Sequence, residues 1–310
     1  MSYIKKTGWL VLGLIGYFTA FSQTKPIYQD ATKPVEERIG DALSRMTLEE
    51  KVRLLHANGG YRSWGVPRLG IPENNPTDGP TGMRPEFRWE SWSDAKANND
   101  YCTAFPSLIS LAATWNPDMG ILYGKSYSEE ALYRNKNIIL GPGVNICRTP
   151  LNGRSFEYMG EDPYLASQIA VSYIQGVQSN HVAACVKHFA TNNQETGRMY
   201  INSLVDERTL HEIYFPAFKA AVQQGHVWTV MGAYNQLNGQ HCCHNDYLLN
   251  DILKKEWGFD GVLLSDFGGT HSTQEAIDNG LDLEYGTALG SEEAFENYYL
   301  GNAYLQLLKS

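Results

Sequence analysis

Short apolar runs alternate with longer helical stretches along the chain from about residue 104 onward. The apolar runs have the length of strands that are buried on both faces, as in a parallel sheet. They cover residues 137–140, 182–186, 227–233, 261–264 and, with weaker apolar character, 280–283. Helices are predicted at 117–134, 163–179, 207–224 and 246–257. This alternation predicts an α/β fold built on a parallel sheet.

The chain upstream of this repeat has a different pattern. Residues 34–55 read as a helix with an apolar stripe, in which Thr47 is the capping residue and Glu49 and Glu50 are early acidic residues. Residues 57–100 are rich in Gly, Pro, Asn and Trp and show little periodicity. They predict a long loop region, and long ordered loops in compact domains are often functional.

Polar residues follow several of the predicted strands at the point where the apolar run ends. These residues are Gly141-Pro142, Lys187-His188, Tyr234-Asn235, Ser265-Asp266 and Glu284. In (β/α) barrels the active site is built at this end of the strands. A doubly wound sheet would give a similar pattern, but no Gly-rich phosphate loop opens a helix here. Asp266 by itself fits either a catalytic carboxylate or a cap of the next helix.

The other polar candidates also allow two interpretations each. Lys187 and His188 suit the binding of sugar hydroxyls, or else a salt bridge beside a hydrogen-bonded histidine. Arg198 ends the polar segment 191–198, which suits hydroxyl recognition or an ordinary loop. Arg154 and Asp78 lie in turn-like segments, and Glu161-Asp162-Pro163 reads as the start of a helix.

Composition narrows the class of protein. The net charge of −9 argues against nucleic-acid binding, because proteins that bind polyanions are usually basic. The aromatic content of 12% suits the flat faces of sugars but equally an aromatic core. The segment His241-Cys242-Cys243-His244 does not have the spacing of paired zinc ligands. We therefore predict neither a metal nor another cofactor.

Residues 1–22 have the features of a secretory signal peptide. Lys5 and Lys6 precede an apolar stretch, and Ala20-Phe21-Ser22 places small residues before a cut at Gln23. The stretch is short for a transmembrane helix, and no cysteine lies at the cut for lipid attachment. The sequence thus predicts an exported protein, periplasmic or extracellular, without a stable membrane anchor.

Several short motifs occur together and in a fixed order. They are Thr77-Asp78-Gly79-Pro80, Ala113-Thr114-Trp115-Asn116, Leu140-Gly141-Pro142, Gly153-Arg154, Gly160-Glu161-Asp162-Pro163, Lys187-His188-Phe189, Asn193-Gln194-Glu195, Ala233-Tyr234-Asn235, Asn238-Gly239, Trp257-Gly258-Phe259 and Ser265-Asp266. In this set and order the chain resembles the N-terminal catalytic domain of glycoside hydrolase family 3, of the β-glucosidase type.

The resemblance implies a (β/α)8 TIM-barrel-like domain, irregular or incomplete at its C-terminal end. Residues 23–100 would form the lead-in, helix and loop region of this domain, and residues 101–310 its remainder. By motif, the catalytic nucleophile maps to Asp266. Sugar-binding roles map to Asp78, Arg154, Lys187, His188, Arg198 and Tyr234.

The implied activity is that of an exo-acting retaining β-glycosidase, in particular a β-glucosidase that removes terminal non-reducing β-D-glucosyl residues. Its substrates would be β-linked oligosaccharides or aryl and alkyl β-glucosides. Two alternatives stay open: a β-xylosidase of the same family, or a sugar-binding form that turns nothing over. A nucleophile beside Lys187 and Arg198 is expected to keep a low pKa.

The chain departs from the family pattern in two places. Phe267 stands where the family usually has Trp, which puts the preference for the leaving group in doubt. The family's acid/base glutamate commonly comes from a C-terminal α/β sandwich domain, which we expect to be missing beyond residue 310. The isolated chain should then be weak or inactive. Within it Glu195 and Glu284 are acid candidates, each better explained as structural or substrate-orienting.

Overall fold

The computed structural model describes residues 25–59, 62–84, 87–88, 93–94, 101–286 and 291–310. The chain divides into two compact units, Met1–Arg45 and Met46–Ser310. The signal peptide predicted at 1–22 lies outside the described residues and stays a prediction.

The first unit contains a 3₁₀ turn at Ile27–Gln29 and helix α1 at Val35–Arg45. The Asp41 carboxylate joins the two, because it accepts hydrogen bonds from the Tyr28 N–H (3.0 Å) and from Arg45 Nε (3.0 Å). None of the residues of α1 is buried. Its stability within this unit therefore rests on local hydrogen bonds and on the acidic residues of its first turn.

The second unit begins with helix α2 at Leu48–Arg53, which opens on a capping box. The Thr47 hydroxyl accepts from the Glu50 N–H (3.1 Å), and the Glu50 carboxylate accepts from the Thr47 N–H (2.8 Å). Thr47 is extended, with φ −68° and ψ 163°. The single helix predicted at 34–55 is therefore wrong, since the cap divides it in two.

Five parallel strands follow one another across the central sheet in chain order. They are β1 Pro76–Asp78, β2 Ile138–Leu140, β3 Ala183–Phe189, β4 Thr229–Gly232 and β5 Val262–Leu264. The predicted α/β fold with a parallel sheet is confirmed. β1 lies within the region predicted as loop. The strand predicted at 280–283 is reduced to a parallel bridge between Leu283 and Leu264.

The described strands do not close into a barrel, so the (β/α)8 closure stays a prediction. A further parallel bridge joins Glu284 to His56 beyond the Leu283 bridge. The remaining described strands form two small sheets. Phe87–Arg88 pairs antiparallel with Ser93–Asp94, and Asn202–Ser203, Gln236–Leu237 and Gln240–His241 form a three-stranded sheet.

The helices mostly lie where the pattern predicts them. They are α3 Leu108–Ala112, α4 Pro117–Tyr133, α5 Pro163–Gln178, α6 Glu207–Thr209, α7 Pro216–Gln223, α8 Thr273–Asp278, α9 Ser291–Asn297 and α10 Asn302–Lys309. Two segments, Leu210–Tyr214 and Tyr247–Glu256, are π-helical rather than α-helical. Asp162 caps α5 by accepting from the N–H groups of Tyr164 and Leu165, as predicted for a helix start. No helix in the described part of the chain has the length and apolar character needed to cross a bilayer.

Both faces of the sheet are buried, and alternate residues of each strand face opposite sides. Ile139, Val186 and Leu263 belong to the larger core cluster, together with residues of α4, α5 and α7. Leu140, Cys185, Met231 and Leu264 belong to a separate, smaller cluster. Lys187 and Asp266 stand two positions beyond Cys185 and Leu264, which makes the second face the one that leads to the polar strand ends.

Candidate active site

A cavity of about 320 Å³ lies at the carboxyl ends of the parallel strands. It is lined by Asp78, Arg84, Arg154, Lys187, His188, Arg198, Met231, Tyr234, Asp266 and Phe267. The predicted nucleophile and all the predicted sugar-binding residues are in this set. Asp78 ends β1, Lys187 and His188 lie near the end of β3, and Asp266 follows β5. The structure brings these residues together, while their individual roles stay predictions.

Lys187 is the buried cation of the cavity wall, with a side chain 3% exposed. Its Nζ lies 2.9 Å from Asp78 Oδ1 and 3.1 Å from Glu157 Oε1. Burial alone would lower the pKa of Lys187, but the two carboxylates raise it above its ordinary value. Burial likewise opposes ionisation of Asp78, yet Lys187 outweighs it and the pKa of Asp78 lies below its usual range. Both side chains are therefore charged at neutral pH.

Arg154 fixes the protonation of His188. Its Nε lies 2.7 Å from Glu157 Oε2, and its NH2 group lies 3.0 Å from His188 Nε2. Because a guanidinium only donates, Nε2 must accept, and the ring proton is assigned to Nδ1, 3.3 Å from the Tyr158 hydroxyl. Burial, followed by the charges of Arg154 and Lys187, holds the pKa of His188 well below its ordinary value. His188 is thus a neutral imidazole.

Asp266 is 3% exposed at the end of β5. The Phe267 N–H donates to its Oδ1 (2.8 Å), and its Oδ2 lies 3.7 Å from His188 Nε2. Burial raises the pKa of Asp266 to about 6, which exceeds the lowering by Arg154 and Lys187. The expectation that Asp266 keeps a low pKa is therefore wrong.

Burial is the largest cause of the raised pKa, and the way the nearby cations are engaged limits how far they offset it. Lys187 is divided between Asp78 and Glu157. Arg198 has its NH1 group 2.6 Å from Glu195 Oε2, and its guanidinium lies 4.4 Å from the centre of the Tyr234 ring. Charges that are already balanced by other anions stabilise the ionised form of Asp266 only in part.

Sequence reasoning missed three residues that shape the site. Arg84 and Met231 line the cavity together with Phe267, which had been noted as a departure from the family pattern. Glu157 does not line it but contacts both Lys187 and Arg154. Met231 gave no signal because it lies inside an apolar strand. Glu157 gave a weak signal, since it stands three positions after Arg154 on a short turn.

The two internal acid candidates lie outside the cavity lining. Glu195 pairs with Arg198, and its other oxygen lies 3.7 Å from Arg154. Glu284 is 2% exposed and accepts the Leu300 N–H at 2.7 Å. Burial raises the pKa of Glu284 to about 7, but the carboxyl group serves a backbone hydrogen bond rather than the cavity. The structural interpretation of both residues fits these contacts.

In the His-Cys-Cys-His segment, both cysteine thiols make hydrogen bonds to backbone carbonyls. The Cys242 thiol donates to the Ala190 carbonyl and the Cys243 thiol to the Ala233 carbonyl, each at 3.3 Å. Burial raises the pKa of both thiols, so they stay protonated. Across the described ranges, no group of three or more His, Cys, Asp or Glu side chains is placed to hold a metal ion.

The parallel sheet with a charged cavity at its strand ends places this chain among α/β domains built to hold a polar ligand. The model of the glycosyl hydrolase family 3 N-terminal domain matches residues 96–285, which include β2 to β5 and most of the cavity wall. The chain therefore belongs to glycosyl hydrolase family 3, and the resemblance seen in the motifs is confirmed.

Similar curated proteins carry two different activities in their names. A β-glucosidase of Bacteroides ovatus is 55% identical over 289 residues, which are 92% of this chain and 39% of that protein. An exo-α-(1→6)-L-arabinopyranosidase of Bifidobacterium longum is 43% identical over 239 residues, which are 77% of this chain and 32% of that protein. The chain thus spans 32–39% of the length of these relatives.

A solved structure agrees with the fold. The structure of β-glucosidase 3B from Thermotoga neapolitana in complex with glucose superposes with a TM-score of 0.78 at 38% identity. The match covers 87% of this chain and 39% of that one. At this identity the likeness extends to family as well as fold.

Proposed function

We propose that this chain carries the nucleophile of an exo-acting retaining β-glycosidase, in particular a β-glucosidase. It would remove terminal non-reducing β-D-glucosyl residues from β-linked oligosaccharides and from aryl or alkyl β-glucosides. The observation that carries the proposal is the buried Asp266 carboxylate in a cavity with Asp78, Lys187 and Arg154. The β-glucosidase names of similar proteins support it.

Asp266 is suited to attack an anomeric carbon. Above a pH of about 6 it is ionised, and its carboxylate then lies in a largely dehydrated wall. The attack forms the bond from a carboxylate oxygen to the anomeric carbon and breaks the bond to the leaving oxygen. Water then cleaves the glycosyl ester and restores the carboxylate. His188 lies 3.7 Å from Asp266, but because its imidazole is neutral it forms no ion pair with the carboxylate.

The remaining wall suits the hydroxyl groups of one sugar ring. Asp78 offers an acceptor, and Lys187 and Arg198 offer donors. The volume of about 320 Å³ is at the lower end of the roughly 300–1,000 Å³ typical of small-molecule sites. A cavity of this size favours one terminal residue over an internal stretch of polymer, which supports an exo mode of action.

Retention also needs an acid/base carboxyl about 5–5.5 Å from the nucleophile. Among the described residues that line the cavity, the carboxylates are Asp78 and Asp266. Asp78 is ion-paired with Lys187, and its low pKa suits an acceptor rather than an acid. We therefore propose that the acid/base is a glutamate contributed from outside the described residues, in a C-terminal domain.

The test compares two substrates on the 310-residue chain. Dinitrophenolate leaves its β-glucoside without protonation, whereas the glucose that leaves from cellobiose must be protonated by the acid. General acid catalysis accelerates such a reaction by about 10²–10⁴-fold. We expect turnover of the first to exceed that of the second by such a factor. Rapid cellobiose hydrolysis would place the acid inside this chain and make Glu195 and Glu284 the first variants to examine.

A second experiment tests the nucleophile. A 2-deoxy-2-fluoroglucoside with a good leaving group should label the peptide that contains Asp266, as read by mass spectrometry. Asp266→Ala should remove both labelling and turnover, while the exposed Asp260→Ala should keep both. Label on Glu195 or Glu284 would contradict the assignment. A chain that does not bind glucose, is not labelled and turns over no β-glucoside would contradict the proposed function.

A β-xylosidase is the second candidate. It is favoured by the 43% identity to a protein named for removing a pentopyranose, since xylose is also a pentopyranose. The ratio of kcat/KM for nitrophenyl β-xyloside over nitrophenyl β-glucoside decides between them, and a ratio above one would favour the xylosidase.

We further propose that the protein is exported and loses residues 1–22. Lys5, Lys6 and the apolar stretch that follows support this proposal. N-terminal sequencing of the mature protein should begin at or near Gln23, and an intact Met1 would contradict it.

A further inference from the structure

Glu157 stands behind the cavity wall and contacts two of its cations. It ends the 3₁₀ turn Ser155–Glu157, and its side chain is 7% exposed. One oxygen lies 3.1 Å from Lys187 Nζ and the other lies 2.7 Å from Arg154 Nε. Both cations line the cavity, whereas Glu157 does not. The Glu157 carboxylate can therefore affect a ligand in the cavity through its contacts with Lys187 and Arg154.

Each of the two cations has more hydrogen-bond donors than Glu157 takes up. A lysine ammonium has three donors, and Asp78 and Glu157 take two of them. The third remains for a hydroxyl in the cavity. Arg154 gives Nε to Glu157 and an NH2 donor to His188, so its plane is held from both sides.

Glu157 also sets the charge of the wall. The cavity is lined by the cations Arg84, Arg154, Lys187 and Arg198 and by the anions Asp78 and Asp266. Burial would favour the neutral acid, but Lys187 and Arg154 outweigh it, so the pKa of Glu157 lies below its ordinary value and the group is ionised. Its negative charge offsets part of the field that the two cations exert on Asp266.

We propose that Glu157 is a positioning residue of the sugar site, which holds Lys187 and Arg154 in place for the sugar hydroxyls and offsets their charge at Asp266. This inference rests on the proposed glycosidase function. The plainer interpretation is that Glu157 only ties its turn to β3. A purely structural ion pair affects stability, whereas a positioning residue affects ligand affinity and the ionisation of Asp266 in a protein that is still folded.

Two substitutions separate position from charge. Glu157→Gln removes the negative charge and turns an amide NH₂, which is a donor, towards either Lys187 or Arg154, which are donors as well. Glu157→Asp keeps the charge but is one methylene shorter and cannot span both cations. Glu161→Gln is the matched control, because Glu161 is exposed and lies four positions further on, outside this cavity. All are assayed as the 310-residue chain with dinitrophenyl β-glucoside.

The pH dependence of kcat/KM reports the ionisation of Asp266 in the free enzyme. The groups that face Asp266 are Arg154, Lys187, His188, Tyr234 and the Phe267 N–H. The groups that face Glu157 are Lys187, Arg154 and, at longer range, Asp78. Loss of the Glu157 charge leaves one more net positive charge in this set. That charge favours ionised Asp266, so the acid limb of the profile must move to lower pH.

We expect Glu157→Gln to raise KM and the Kd for glucose by about 10- to 100-fold, the effect of one charged hydrogen bond, and to move the acid limb downward. Glu157→Asp should raise KM while the acid limb stays within about 0.3 pH unit of the unmodified protein. Glu161→Gln should change neither. Glucose binding is measured by calorimetry, and folding by circular dichroism and thermal melting.

The outcomes are distinct. Folded Glu157→Gln protein with unchanged KM, glucose affinity and acid limb would overturn the inference, and the loss of folding in both variants would assign Glu157 a folding role and overturn it as well. An unmodified chain that neither binds glucose nor hydrolyses any β-glucoside would overturn the proposed function, and with it this inference. If the unmodified chain turns over substrate and Glu157→Gln leaves its KM, glucose affinity and acid limb unchanged, the inference alone is overturned.

Discussion

Replacing Asp266 by Asn should stabilise the protein at neutral pH. The folded chain raises the pKa of this carboxyl from 3.8 to about 6, with burial as the largest cause. The folded state therefore holds a proton between these pH values that the unfolded chain has lost. This stabilisation is complete below about pH 3.8 and is lost as the pH rises through about 6. The corresponding free energy is about 3 kcal/mol.

At pH 7 the native protein carries this whole cost, and a neutral amide does not. We expect Asp266→Asn to raise the free energy of unfolding by about 3 kcal/mol at pH 7, and by about half as much at pH 5. The melting temperature should rise by about 5–10 °C at pH 7.

Thermal melting of both proteins at pH 5 and pH 7 provides the measurement. Asp260→Asn is the control, because Asp260 is exposed and lies on the same stretch of chain. Its melting temperature should change by less than about 2 °C at either pH. An Asp266→Asn protein that is less stable than the parent, or more stable by the same amount at both pH values, would refute the reasoning.

Three further predictions concern the same cavity. The value of kcat/KM for dinitrophenyl β-glucoside should fall about tenfold per pH unit below about pH 6, as Asp266 takes up its proton; a profile that stays flat to pH 5 would contradict this. Lys187→Met removes the cation that Asp78 and the buried Glu157 share, so the free energy of unfolding measured in urea should fall by about 3–5 kcal/mol, and a loss below about 1 kcal/mol would count against the ion pairs. Phe267→Trp enlarges the aromatic wall, so KM for phenyl β-glucoside should fall about 2- to 10-fold relative to methyl β-glucoside, and an unchanged ratio would show that residue 267 does not meet the leaving group.

The sequence predicted the placement of the site better than its electrostatics. Lys187, Tyr234 and Asp266 follow apolar runs, and parallel strands bring such ends to one edge. β1 was not predicted because Pro76–Asp78 is too short for a periodic signal. Its position is set by pairing with β2, which is a long-range contact that no local pattern encodes.

The pKa of Asp266 was predicted in the wrong direction for a related reason. The motifs indicate which cations lie near the Asp266 carboxylate, but they do not indicate which other anions those cations contact. Lys187 is shared with Asp78 and Glu157, and the burial of Asp266 depends on the whole surrounding wall. The helix predicted at 34–55 failed more locally: Thr47 was recognised as a cap, but residues 34–46 before it were joined to the same helix.

The ion pair between Asp78 of β1 and Lys187 of β3 has a consequence for how the protein folds. The two residues are 109 positions apart in the chain, so their contact closes a long loop. Loop closure of this kind costs entropy before any contact compensates for it. Helices α4 and α5 and the strands β3 and β4 contact nearer neighbours and can form earlier. A refolding chain should therefore recover its helical circular dichroism before it binds glucose, and the delay between the two signals measures the docking of β1.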